Sequence, residues 1–387
     1  MKRRLLTAAT ILLAMVGALI AVMKVRYGGR TIPFPDRTSR ALLGNDAVTV
    51  VATLDEPPGN IAVAPDGRIF FTYHPEARPA LKVLELVNGN PVPWPSEEGQ
   101  EQFGTVLSLR IDRQGRLWTL DTGFHGVRRP LLIAFDLKTG RRVHQWRMPR
   151  EVAGIGSYVQ DFAIDPEGRW IYLADISVIA KRPALIVYDS KTRNAWRALE
   201  RDASVLDRPY RIVARGKPMI FFGGLYAMHP AVDSIALDEG GEWLYYGPMS
   251  HDTLFRVRTS ELRAGHPPPR VETFGPKPQT DGIGIDADGN IYMTEVEHGT
   301  IALLRADRTL HTLVRDPRIR WPDGVSFGPD GSLYVTDSAL GRCCCGRGGA
   351  SRRRGRFTFF ASARRRSAPT RRPRGRNQWR TGNPACP

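Results

Sequence analysis

The chain has 387 residues, 42% hydrophobic and 25% charged, the balance of an ordinary globular protein with room for one large domain or two smaller ones. Its net charge of +17 is concentrated at one end: 14 of the 56 Lys and Arg are arginines in 341–387, a stretch without Lys, Asp or Glu. Residues 1–340 then hold 42 basic against 39 acidic side chains, a balance of +3, so a nucleic-acid reading would rest on the tail alone. In chain order, Lys2, Arg3 and Arg4 precede 19 uncharged residues from Leu5 to Met23. That length crosses a bilayer and exceeds the apolar run of most cleaved signals, and no A-x-A site follows. Residues 1–30 are therefore expected to be a signal anchor, with a cleaved signal peptide as the alternative. Either reading sends the body out of the cytoplasm, to the periplasm or beyond, and the anchor would tie it to the inner membrane through residues 5–23. Residues 31–50 read as a linker. All four cysteines (343, 344, 345 and 386) lie in the tail, so the body needs no disulfide and has no cysteine metal spacing.

Six segments then share one pattern: a short apolar strand, an Asp/Gly turn, and a second strand rich in aromatic and β-branched residues. They are 60–74, 108–123, 161–177, 234–250, 282–299 and 324–340, with turn glycines at 67, 115, 168, 241, 289 and 331. Further strands lie between several of them, as in "LLIAFDLKTGRRVHQW" and "ALIVYDSKTRNAW". A repeat of this kind, about 40–50 residues long, predicts an all-β fold, a six-bladed β-propeller over 51–340. Only the interval from Gly168 to Gly241 is long, which predicts an insertion around 208–233 folding over the channel mouth. The second-strand aromatics Phe70, Trp118, Tyr172, Tyr245, Tyr292 and Tyr334 are expected to pack between blades.

Residues just before a first strand and just after a second strand share one face of such a ring, the face opposite the hairpin turns. "TDGIGIDADGNIYMTEVEHG" (280–299) contains Asp-Gly twice. Asp288-Gly289 fits a hairpin turn, whereas Asp281-Gly282 precedes a strand. Aligned across the repeats, Asp281 shares a column with Gly59, Leu107, Gln160, Asp233 and Asp323, and the next column holds Asn60, Ser108, Asp161, Ser234, Gly282 and Gly324. Acids crowded at one mouth must be paired, protonated or bound to a hard cation, or else cap strand starts through backbone N–H groups. The second-strand exits add Asp121, Asp175, Ser250, His251, Glu295, Glu297, His298 and Asp337 to that face. His251 and His298 suit a general base or a π-face for a ligand. No G-x-S-x-G elbow, H-E-x-x-H or glycine-rich phosphate loop is present.

The stretches "GRLWTLDTGF", "YVQDFAIDPEGRWIYLADIS", "SIALDEGGEWLYYGPMSHDTLFRV" and "WPDGVSFGPDGSLYVTDSAL" resemble the Yellow / major royal jelly protein family in its bacterial form, over roughly residues 50–340. The resemblance implies a secreted six-bladed propeller. Insect members include binders of biogenic amines and proteins linked to dopachrome conversion, so it does not fix a reaction. More distantly the chain is similar to the gluconolactonase and regucalcin group, which hydrolyses sugar lactones with one divalent cation at the channel mouth. That group places a Glu before the first blade, an Asn before the fourth and an Asp-Gly before the fifth. Asp281 matches the last, Asp233 stands at the Asn position, and Gln160-Asp161 resembles a substrate-contacting Asn-Asp pair. The Glu position holds Gly59, followed by Asn60.

The expectation is a monomeric propeller that binds a small molecule at the channel mouth through Asn60, Gln160, Asp161, Asp233, Asp281, Asp323, His251 and His298. It is expected to meet the membrane only through its N-terminal segment, and no nucleic acid. The alternatives are a metal-dependent sugar-lactone hydrolase and a protein-interaction scaffold. As an enzyme it would be a lactonase-type hydrolase or a dopachrome-conversion-like isomerase. The residues themselves establish no cofactor; the second resemblance implies one Ca²⁺ in the channel, with Asp233 and Asp281 as ligands. From Gly341 the sixth repeat gives way to an Arg-rich, low-complexity tail expected to be disordered. Its composition fits an out-of-frame reading of GC-rich DNA, and only "RFTFF" within it has strand character. The last blade is thus expected to be incomplete.

Overall fold

The computed structural model describes residues 2–29, 31–339 and the backbone of 357–362. All six turn glycines adopt positive φ, between 68° and 88°, a conformation glycine reaches without a Cβ penalty. The turns are tied by their own carboxylates: Asp286 Oδ1 accepts the N–H groups of Asp288 and Asn290, and Asp112, Asp165 and Asp238 act alike. These acids are turn chemistry, on the face opposite the channel mouth.

Five repeats extend into four-stranded antiparallel blades built from consecutive strands: 58–93, 106–147, 159–198, 232–276 and 283–315. Neighbouring blades bury large side chains between their faces. Trp118, Trp146 and Tyr188 meet between the second and third blades, with Trp146 and Tyr188 stacked at 3.8 Å. Each fully buried ring of the Phe70 and Phe135 kind contributes about 2 kcal/mol. Of the expected packing aromatics, all but the half-buried Tyr334 are buried.

The sixth repeat departs from the expected six consecutive blades, leaving five self-contained ones. It supplies only Pro322–Phe327 and Leu333–Asp337 to a composite sheet, in the order 48–54, 357–362, 333–337, 322–327. Its two outer strands come from opposite ends of the chain. Two expectations are thereby corrected. Val48–Leu54 belongs in part to the segment read as a linker, yet is a sheet strand. Phe357–Ser362, within the expected disordered tail, pairs with both 48–54 and 333–337. The rest of the tail, 340–356 and 363–387, lies outside the described residues. The first blade's inner strand is also joined directly to both strands of the sixth repeat: Thr336 Oγ1 donates to Gly59 O (2.5 Å) and Val63 N to Ser326 Oγ (3.0 Å).

The rest of the expected linker is docked as well. Ile32–Pro33 pairs in parallel with Tyr210–Arg211, and Leu42 and Leu43 donate to the outer strand of the fifth blade. Ahead of it, Lys2–Met23 is an apolar helix that is exposed wherever its side chains are described, long enough to cross a membrane. The 208–233 insertion forms two small hairpins, 213–218 and 220–227. Its Ile212, Ala214 and Met219 pack on Met249, Val296 and Trp321, which leave or enter blades on the mouth face.

Candidate functional site

A β-bulge opens the first strand of four of the five blades and of the composite sheet, at 58–61, 106–108, 159–161, 232–234 and 322–325. A bulge inserts one extra residue and re-aims its side chain. Two successive residues of each such strand can therefore line the mouth, which is why both aligned columns meet there. Asn60, Gln160, Asp161, Asp233, Asp281 and Asp323 come together around one narrow cavity of about 10 Å³, room for a single water or ion. Gly282 and Gly324 answer to close approach: a Cβ on Gly282 would lie 2.1 Å from Asp323 O, and one on Gly324 2.7 Å from Asn60 Cα. Thr72, Thr294 and Thr336 hold these strand starts from behind, their hydroxyls accepting the N–H groups of Asn60, Gly282 and Gly324. The exit acids have a comparable task. Asp121 accepts from Gly104 N, Asp175 from Tyr158 N, and Asp337 from Arg320 N and Trp321 N, fixing the segments that enter the inner strands.

The acids at the mouth are not equivalent. Burial, then the neighbouring carboxylates, hold Asp233 and Asp323 well above the usual range. Asp281 is pushed up to about 6 by burial; the Trp321 indole N–H bonded to its Oδ2 (2.6 Å) pulls it down, and Asp161 raises it. Gln160 donates its amide to Asp233. Asp323 has no hydrogen-bond partner among the described residues.

Arg110 is the residue that sequence reasoning missed. It sits two positions beyond the aligned Ser108, where a strand alternation looks like surface. In the fold its guanidinium donates to Asn60 Oδ1 (2.6 Å) and Asp161 Oδ1 (2.7 Å), bridging the first and third blades. A second cation, Lys277, is wholly buried beside the mouth and donates to the carbonyls of Pro278 and Met249; burial lowers it to about 7.

Two expected site residues lie outside this cavity. His251 is buried, accepts from Thr253 N at Nδ1, and is pushed down to about 4 by burial and then by Arg208 and Lys277. His298 pairs with Glu295 (3.2 Å), which raises it. Glu295, Glu297 and His298 bring possible ligand atoms within 4.8 Å of one another. Glu295, however, already accepts from Glu297 N, His298 N and Thr300 Oγ1, which is loop capping. As for a divalent ion in the channel, Ca²⁺ takes six to eight oxygens. Arg110 holds the Asn60 and Asp161 oxygens, and the expected Glu is Gly59. The donors fit such an ion only with Arg110 displaced.

A second, far larger cavity of about 490 Å³ opens on the same face, between the exits of the first two blades. Its walls include Tyr73, Glu76, Lys82, Phe124, His125 and Tyr158. The His125 and Tyr158 rings stack at 4.5 Å, and His125 Nε2 lies 3.7 Å from Glu76 Oε1. His125 Nδ1 is buried without a partner among the described residues. Tyr158 links this cavity to the acids: burial, then Glu76, Asp233, Asp323 and Asp281, raise its phenol well above 10. Nothing in the repeat pattern signals this cavity, since its walls are loops that differ from blade to blade.

Comparison with known proteins agrees with this architecture. The family model described as major royal jelly protein matches residues 104–341. Major royal jelly protein 3 of Apis mellifera is 28% identical over 182 residues, 44% of this chain and 31% of the relative. Yellow-related salivary protein M10 of Phlebotomus duboscqi is 30% identical over 192 residues, 43% of this chain and 46% of the relative. The chain thus spans less than half the length of these two relatives. Among solved structures, a gluconolactonase from Xanthomonas campestris aligns with TM-score 0.54 at 12% identity, covering 87% of this chain and 98% of its own. Regucalcin, a calcium-binding protein from Agrobacterium tumefaciens, aligns with TM-score 0.51 at 17% identity, covering 81% and 94%. At these identities the structural likeness establishes the fold.

Proposed function

The chain belongs to the major royal jelly protein family, and from that premise we propose that it binds a small aromatic molecule carrying a positive charge, in the wide cavity beside the channel mouth. The observation that carries this reading is the cavity of about 490 Å³, within the range of small-molecule sites, walled by stacked His125 and Tyr158 and edged by Glu76. Aromatic faces hold a planar ligand, and a cation is favoured by the Glu76 carboxylate and, above about pH 6, by the ionised Asp281 behind Tyr158, against Arg78 and Lys82 on the same wall. In this reading Asn60 and Asp161 belong to the frame that Arg110 organises, Gln160 is tied to Asp233, and His251 and His298 support loops. The scaffold is read as a six-bladed ring with the composite sheet as its sixth blade, supported by the Thr336–Gly59 hydrogen bond. The Lys2–Met23 helix is read as the anchor of a body outside the cytoplasm, supported by a cysteine-free stretch from 1 to 342.

Calorimetry on the full chain in detergent tests the ligand reading. Tyramine should bind saturably, phenol more weakly, and 4-hydroxyphenylpropionate not at all. Tyr158→Ala should abolish the tyramine signal. Saturable binding of the carboxylate in preference to the amine, or tyramine binding untouched by Tyr158→Ala, would overturn it.

A further inference from the structure

Three of the most exposed large apolar side chains of residues 31–339, Phe222, Ile155 and Val127, lie near the foot of the N-terminal helix, whereas Val87, Val92 and Val143 are exposed singly on outer strands. Phe222 is 81% exposed and Ile155 74%, and Phe124, Val127, Ile179 and Ile220 are exposed as well. All six lie in mouth-face loops or in the insertion. Among the described residues, none of the exposed large apolar side chains lies in the six hairpin turns of the opposite face.

These loops are one connected slab. Gly156 N donates to His125 O, and Gly156 O accepts from Ile179 N and Ala180 N. A Cβ on Gly126 would lie 2.1 Å from Gly154 O, so two of the loops touch backbone to backbone. The helix is seated on that slab. Tyr27 Oη donates to Ile179 O (2.9 Å), Arg26 donates to Ala180 O (3.0 Å), and Gly28 packs against Gly224 O of the insertion. Segments 24–28, 122–129, 149–158, 176–182 and 211–227 together hold ten Lys and Arg against one acid, Glu151. An apolar patch within a basic field, continuous with a helix long enough to span a bilayer, has the chemistry of an interfacial membrane contact.

We propose that the mouth face of the propeller rests on an anionic lipid surface, with Phe124, Val127, Ile155, Ile179, Ile220 and Phe222 entering the interfacial zone. The inference rests on the helix being an anchor. The wide cavity, whose wall includes Phe124 and His125, then opens beside the lipid headgroups, and its ligand arrives from the interface.

The test uses the full chain reconstituted in phosphatidylcholine–phosphatidylglycerol vesicles doped with a diazirine-bearing phospholipid, with adducts mapped by mass spectrometry. Adducts are expected on 5–23 and on the peptides holding Phe124, Ile155, Ile179 and Phe222, with the hairpin turns at 66–67 and 288–289 unlabelled. An Ile155→Asp/Phe222→Asp double variant, its fold checked by circular dichroism, should lose the mouth-face adducts and keep those on 5–23. Adducts on 5–23 alone overturn the proposal while leaving the anchor intact. No adducts on 5–23 overturn both. Mouth-face crosslinks between two copies of the chain, without lipid adducts, also overturn it.

Discussion

Two cavities share one face of this propeller and have opposite characters. The central one is narrow, polar and crowded with acids, and it is built from the repeat itself, since bulged strands from successive blades deliver side chains to a common axis. The lateral one is nearly fifty times larger, part aromatic, and built from loops that no other blade copies. The difference separates what the scaffold repeats from what it presents. Symmetry gathers the acids whether or not a ligand needs them, whereas the cavity between the first two blades exists only because of its particular loops.

The sharpest way to break this distinction is to remove Arg110. If the central acids are a structural knot, Arg110→Met should lower stability by about 3 kcal/mol, since Asp161 is left as a buried, unpaired charge. Urea unfolding of the full chain in detergent would read it, and adding Asp161→Asn should recover much of the loss. Calcium chloride should leave the melting temperature of the unaltered protein unchanged and raise that of Arg110→Met. An equal calcium response in both would make the narrow cavity a metal site in its own right.

A smaller effect is expected at the lateral cavity. Glu76→Gln should weaken tyramine binding about fivefold, close to 1 kcal/mol, with no change in unfolding beyond scatter. Calorimetry at low and high salt would separate charge from shape, since only the charged pair is screened.

The smallest effect concerns Asp281, which couples the two cavities through its field. Its carboxyl titrates near 6 in the fold, above the ordinary 3.8, so the fold favours its protonated form. That contribution to stability is complete below about pH 4 and is lost as pH rises through about 6. Asp281→Asn should therefore be more stable than the unaltered protein above pH 6, with the gap closing on acidification. Asp233 and Asp323 shift in the same sense, while buried His74 and His251 and half-buried His144 oppose them. The difference between the two melting curves is thus the readout. Tyramine affinity should fall about twofold in the variant above pH 6, and in the unaltered protein as pH drops below it.

The residues legible in the sequence are those on which the repeat acts column by column: the turn glycines, the capping Asp286 and its equivalents, and the mouth positions from Asn60 to Asp323. Arg110 was not legible, because a lone Arg on an alternating strand looks solvent-facing until two other blades are brought against it. The bulges were hidden as well, since one extra residue leaves no mark on an apolar pattern. The pairing of 48–54 with 357–362 joins opposite ends of the chain, which local periodicity cannot report. The lateral cavity escaped for the converse reason, as it depends on how unrelated loops sit together.

That pairing also carries a consequence for how the protein is made. Val48 lies opposite Ser362 in the register, so the two strands meet across roughly 300 residues of intervening chain. Each self-contained blade can zip from neighbouring segments as it leaves the ribosome, while contacts of such long range form late and slowly. The composite sheet cannot be finished until residue 362 has emerged. Until then the edges of 48–54 and 333–337 stand open, the interval in which a chaperone or a neighbouring nascent chain can reach them.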